Sequence, residues 1–123
     1  MKGFILYLLA SILWIPLTVI NIVIVMIKYI NKHGFLKVLD NYFFETAIDI
    51  DRFGNRNFRT LWNTILIKHD GIKFEDSQET ISSVLGKNQR DKTLSLLGRL
   101  LCYILDKIDK DHCQKSIKLT NYY

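Results

Sequence analysis

Gly3-Phe-Ile-Leu-Tyr-Leu-Leu-Ala-Ser-Ile-Leu-Trp-Ile-Pro-Leu-Thr-Val-Ile-Asn-Ile-Val-Ile-Val-Met-Ile27 contains no Asp, Glu, Lys, Arg or His. A helix needs roughly 20 apolar residues to cross about 30 Å of hydrocarbon, so this stretch is long enough to span a bilayer with some tilt. A secretory signal has a shorter apolar core and a small-residue cleavage site. Here the far end reads Val25-Met26-Ile27-Lys28, so the segment is expected to stay attached as an anchor over residues 1–30. Of 17 Lys and Arg only Lys2 precedes position 28, and all 12 Asp and Glu follow it. Lys28, Lys32 and Lys37 crowd the C-terminal flank, and positive residues beside a span stay in the cytoplasm. The expected topology is a single pass with the N-terminus out and residues 28–123 in.

Within the span, Ser11, Trp14, Thr18, Asn21 and Val25 recur at alternating steps of three and four, which places Ser11, Thr18 and Asn21 along one stripe. Such a stripe can be a seam for homo-oligomerisation through hydrogen bonds between helices. The plainer alternative is that Ser and Thr bond back to their own helix. Pro16 is expected to kink the helix or free a carbonyl near Ile12. Two hairpin arms around it would each be too short to cross.

The expected fold is all-α, with this one transmembrane helix followed by a small α-helical domain over residues 31–123. Phe35, Leu39, Tyr42, Phe43, Ala47, Ile50 and Phe53 keep helical spacing opposite Lys37, Asn41, Glu45, Asp49 and Arg52. Because the polar face mixes acids with bases, the aromatic face is expected to pack into the domain rather than lie on the bilayer. Gly54-Asn55 reads as a bend. Phe58, Leu61, Trp62 and Ile65 suggest a second helix ending near Lys68, with a strand over 61–67 as the alternative for so short an apolar run. After a turn at His69-Asp70-Gly71, Asp76 and Glu79 form a capping-box pattern for a helix over Ser77 to Leu85, stopped by Gly86. Asp91 reads as the cap of a helix from Lys92 to Ile108. That helix is too short for a second span with Arg99 in its middle, and is either domain core or a membrane-surface helix. Asp111 with Gln114 repeats the capping pattern before the end of the chain.

The net charge of +5 comes from interspersed signs, and no basic run alternates with aromatics, which argues against a nucleic-acid partner. Cys102 and Cys113 have no CxxC spacing and are expected as reduced thiols. The best enzymatic candidate is a metal site from Cys102, His112, Cys113 and His69. Familiar ligand pairs are two to four residues apart, however, and adjacent His112 and Cys113 project in different directions from a helix. Paired acids such as Asp49 with Asp51, or Asp106, Asp109 and Asp111, have Arg52, Lys107 and Lys110 as simpler partners. There is no Gly-rich phosphate loop and no GxSxG elbow. No enzyme, cofactor or metal is therefore expected. The candidate interaction residues are Ser11, Thr18 and Asn21 in the anchor and Glu79, Ser82, Ser83, His112 and Cys113 in the domain.

Asp51-Arg-Phe-Gly-Asn55, Leu61-Trp-Asn-Thr-Ile65, Glu79-Thr-Ile-Ser-Ser83, Gly86-Lys87 and Ile108-Asp-Lys-Asp-His-Cys-Gln-Lys-Ser-Ile117 together resemble a family of small tailed-phage and prophage proteins. Their pattern is an Asp/Asn helix, Glu-Thr-(Leu/Ile)-Ser, then an apolar stretch ending in Asp-x-x-His-Cys. The resemblance covers about residues 48–117, omits the anchor, and supplies no catalytic residue. It implies a viral gene acting in a bacterial host. Taken with the anchor and the lack of catalytic signatures, the expectation is an inner-membrane protein whose cytosolic helical domain engages a host or phage protein, for instance in lysis control or superinfection exclusion. The alternatives are a holin-like lesion former built on the anchor seam, and a small metal-dependent enzyme.

Overall fold

A computed structural model describes residues 1–120, with side chains placed through residue 117. The fold is all-α. In order come α1 (Lys2–His33), α2 (Phe35–Asn57), α3 (Arg59–Ile65), α4 (Ile81–Arg90), α5 (Leu96–Ile108) and α6 (His112–Thr120). The chain divides into two compact units, Met1–Thr46 and Ala47–Tyr123.

In the first unit α1 is long and apolar enough to cross a membrane, and none of its residues is buried. It runs without interruption through Pro16. Its C-terminal turn closes where the Gly34 N–H donates to the Ile30 carbonyl at 2.9 Å. Gly34 has φ of 83°, a conformation that a residue with a Cβ adopts only at a cost, and the chain re-enters a helix at once.

The second unit has its own core: Leu66, Ile67, Phe74, Val84, Leu85, Leu94, Cys102 and Cys113, with Trp62, Ile65, Ile72, Ile81, Leu101 and Leu105 packed around it. The central element is α4, which contacts both α5 and α6. Its sequence, Ile-Ser-Ser-Val-Leu-Gly-Lys-Asn-Gln-Arg, is not conspicuously apolar, yet Ser82, Ser83, Gly86 and Asn88 are buried beside Val84 and Leu85. Buried polar groups are tolerated when hydrogen-bonded. Asn88 meets that condition: its Nδ2 donates to the carbonyls of Ile72 and Val84, and its Oδ1 accepts from the Ile72 N–H and the Thr93 hydroxyl.

Several local expectations are corrected. The helix expected over Ser77 to Leu85 starts at Ile81, and its cap is Thr80, whose hydroxyl accepts from the Ser83 N–H at 3.0 Å. Asp76 instead closes a small turn by accepting from the Gln78 N–H. Gly86 does not stop α4 but lies inside it, where a Cβ would overlap the Cys113 carbonyl oxygen. It is there because α4 and α6 come too close for a side chain. The next helix begins at Leu96, capped by Ser95, because Lys92 has φ of 59° and Asp91 is paired with Arg90. Gly54-Asn55 is not a bend: α2 continues to Asn57. The aromatic face expected in the core is open, with Phe35, Phe43 and Phe53 all more than half exposed. In the second unit the loop before α4 and helices α4–α6 already fill the interior, so only Gly54 and Asn55 of α2 are buried there.

Candidate functional site

The three strings Asp51–Asn55, Glu79–Ser83 and Asp109–Cys113 lie far apart in sequence and meet at the first turn of α4. A helix N-terminus leaves N–H groups without intrahelical acceptors and favours negative charge. Asp51 on α2 supplies both needs from thirty residues upstream. Its Oδ1 accepts from the Ile81 N–H at 2.7 Å, and its Oδ2 accepts from the Ser82 hydroxyl at 2.9 Å and, weakly, from the Ser82 N–H at 3.4 Å. His112 on α6 reaches the same hydroxyl through Nε2 at 3.3 Å, while its Nδ1 lies 3.2 Å from Asp109 Oδ2. Asp109 also accepts from Lys115 Nζ at 2.5 Å, and these two neighbours, Lys115 first, hold its carboxyl below the usual range.

Serine, imidazole and carboxylate therefore stand in the order that nucleophilic catalysis uses, an alignment not evident from the sequence. Activation of serine needs its proton directed at the imidazole, an approach for substrate, and N–H groups free to hold an oxyanion. Ser82 has one hydroxyl hydrogen, and Asp51 accepts it at the shorter distance. The residue is buried, and the N–H groups of Ile81, Ser82 and Ser83 are already bound to Asp51 and Thr80. The constellation is arranged to join α2, α4 and α6.

Glu79 forms a second knot. Its Oε1 accepts from the Ser83 hydroxyl at 2.8 Å and pairs with Lys87 one turn further along α4. Ser82 and Ser83, expected on an interaction surface, are thus buried and bonded inward. Cys113 is buried too, with its Sγ 3.0 Å from that of Cys102. Contact with Cys102, burial, and the negative charges of Asp106 and Asp51 push the Cys113 thiol well above its ordinary range. Among the described residues no group of three or more His, Cys, Asp or Glu could hold a metal ion. His112 turns both ring nitrogens to Asp109 and Ser82, away from metal-ligand duty with the thiols, and His69 lies in an exposed turn. In α1, Ser11 donates to the Tyr7 carbonyl at 2.8 Å and Thr18 to that of Trp14 at 2.7 Å, while Asn21 meets the Tyr42 hydroxyl at 3.5 Å.

Three asparagines also shape this unit and were not singled out from sequence. Asn63 pairs with both backbone groups of Phe74, Asn88 pairs with both of Ile72, and Asn55 Nδ2 donates to the Asp76 carbonyl at 2.7 Å. Side-chain amides thus act as substitute strand partners for the irregular segment 66–80, whose backbone groups would otherwise be buried without partners. The Asn in the Asp51–Asn55 and Leu61–Ile65 strings was the available signal. An open cavity of about 440 Å³ lies elsewhere in the second unit, lined by Lys68, Lys92, Arg99, Tyr103 and Asp106 among others.

The chain matches no family model, no curated protein and no solved structure.

Proposed function

We propose that this chain is a phage-encoded, non-enzymatic protein of the bacterial host's inner membrane, whose second unit engages a host or viral protein in the cytoplasm, as in lysis control or exclusion of competing phage. The observation that carries the proposal is α1, an uninterrupted helix with a charge-free stretch from Gly3 to Ile27 and no buried residue. Leaving that much apolar surface in water is unfavourable by about 25 cal/mol per Å², whereas a bilayer accepts it. Lys28, Lys32 and Lys37 after the span, against Lys2 before it, support a cytoplasmic location for the second unit. The non-enzymatic part is supported at α4, where the polar side chains are spent on one another and on backbone groups. The holin-like alternative draws on the Ser11, Thr18 and Asn21 stripe, and is weakened because Ser11 and Thr18 spend their hydrogens within α1.

Cysteine accessibility in intact cells tests the topology. A membrane-impermeant maleimide should label Lys2→Cys from outside and reach Lys110→Cys only after the membrane is opened. Cys102 and Cys113 are buried and contribute little background. Outside labelling of Lys110→Cys would overturn the orientation, and with it a cytoplasmic partner. In-cell crosslinking from exposed positions of the second unit should then give a discrete adduct with a host or phage protein, and a chain that crosslinks to no protein would refute that role.

A further inference from the structure

The most apolar helix of the second unit is only half used by its core. On one side of α5, Gly98 and Cys102 are buried and Leu101 and Leu105 pack against the core. The other side is just as apolar and open: Leu96 is 77% exposed, Leu100 53% and Ile108 79%, with Leu97, Tyr103 and Ile104 between them. At 100° per residue these six fall within one continuous sector. A helix apolar on both faces is normally covered on both, and exposed patches of this kind mark interaction surfaces.

The rim of the sector indicates what covers it. Lys107 projects from within the patch with its Nζ 5.3 Å from the Tyr103 ring centre, and Arg99 borders one edge. Beyond Arg99 lies the open cavity to which Lys68 and Lys92 add two more cations. None of these four makes an ion pair among the described residues. Asp106, the acid that lines this cavity, is held by the Gln89 amide and the Cys113 N–H. An apolar stripe edged by Arg99, with the long Lys107 side chain rising out of it and an aromatic hydroxyl at the boundary, is the composition of a helix lying in a membrane interface. A buried protein interface would instead leave those charges desolvated without partners.

We infer that the open face of α5 seats on an anionic phospholipid surface, with Leu96, Leu100 and Ile104 at the acyl boundary and Arg99, Lys107, Lys92 and Lys68 among the headgroup phosphates. The inference rests on the proposed membrane anchorage, since a chain that carries its own span keeps this unit tethered near lipid at high effective concentration. It adds a second, reversible and charge-dependent contact, which holds the unit against the bilayer instead of leaving it free in solution.

The test uses the full-length chain in vesicles of phosphatidylcholine with or without phosphatidylglycerol, carrying an environment-sensitive fluorophore at Leu100→Cys, at Ser77→Cys as a solvent-exposed reference, or at Ala10→Cys in the span. Nitroxide-labelled lipid should quench the Leu100 probe strongly when phosphatidylglycerol is present and weakly in its absence or in high salt. The Ser77 probe should respond to the aqueous quencher in every case. Arg99→Gln and Lys107→Gln should each lower the seated-to-free ratio about fivefold, the effect of one cation near an anionic surface. A Leu100 probe as water-accessible as that at Ser77 in anionic vesicles overturns the inference. Shielding from both quenchers overturns it as well, because it assigns the face to a second copy or another protein. The Ala10 probe reports separately on the anchor: if it meets no lipid nitroxide, the anchoring proposal has failed, and lipid quenching at Leu100 still decides the surface.

Discussion

Replacing Asp51 by Ala would remove an acceptor thirty residues upstream of the helix it caps. The Ile81 N–H at 2.7 Å loses its acceptor outright and the Ser82 hydroxyl loses its nearer one at 2.9 Å, both groups being partly or wholly buried. An orphaned buried group costs about 1–3 kcal/mol. Loss of a negative charge at a helix N-terminus adds about 0.3–1 kcal/mol. Because His112 can take up the Ser82 hydrogen at 3.3 Å, the hydroxyl falls at the low end, and the sum is about 2–5 kcal/mol. A unit of this size loses about 4–8 °C of Tm per kcal/mol, so a drop of about 8–40 °C is expected by circular dichroism in detergent or nanodiscs. Asp51→Asn keeps an acceptor for Ile81 and should lose less than half as much. Ser82→Ala in the Asp51→Ala background should cost less than in the parent, giving a coupling energy above about 0.5 kcal/mol. An Asp51→Ala protein melting within a degree or two of the parent would refute the capping role, as would strict additivity with Ser82→Ala.

Gly86→Ala should destabilise by about 1–2 kcal/mol or more: the added methyl meets the Cys113 backbone, and that clash exceeds the roughly 1 kcal/mol gained from helix propensity. A raised Tm would show that α4 and α6 are not in close contact. Cys102 and Cys113, both buried, should resist maleimide in the folded protein and label only as it unfolds, which mass spectrometry across a denaturant series reads directly. Asp109 has its carboxyl pulled down by Lys115 and His112, so its contribution is present above the unfolded carboxylate value near pH 4 and is lost as pH falls through the lower folded value. Asp109→Asn should therefore melt slightly below the parent at neutral pH and converge with it in acid, and a difference that does not shrink as pH falls below the unfolded carboxylate value near pH 4 would contradict this linkage.

Helical periodicity and length made the long apolar segment, the all-α class and the approximate positions of α2, α3, α5 and α6 legible from sequence. Cap assignments were less legible, because Asp76, Asp91 and Asp111 all carry plausible capping chemistry and only tertiary packing selects Thr80 and Ser95. Gly86 illustrates the same limit: glycine ends helices and also permits close approach, and the Cys113 carbonyl that decides between them is 27 residues away in sequence. The first turn of α4 was legible only as separate strings, since an Asp51–Ile81 bond leaves no periodic trace. Burial of α4 was hidden for a related reason. Three of its interior residues, Ser82, Ser83 and Asn88, are polar and become core only when Asp51, Glu79, Thr93 and the Ile72 backbone satisfy them.

The anchor is tested most directly by alkaline carbonate extraction of membranes from cells expressing either the full chain or a chain that begins at residue 31. Carbonate strips proteins held at the surface, including any held only through α5, and leaves membrane-spanning ones in the pellet. The full chain should remain with the pellet and the truncated chain should move to the supernatant. Release of the full chain, or retention of the truncated one, would contradict a single span formed by α1.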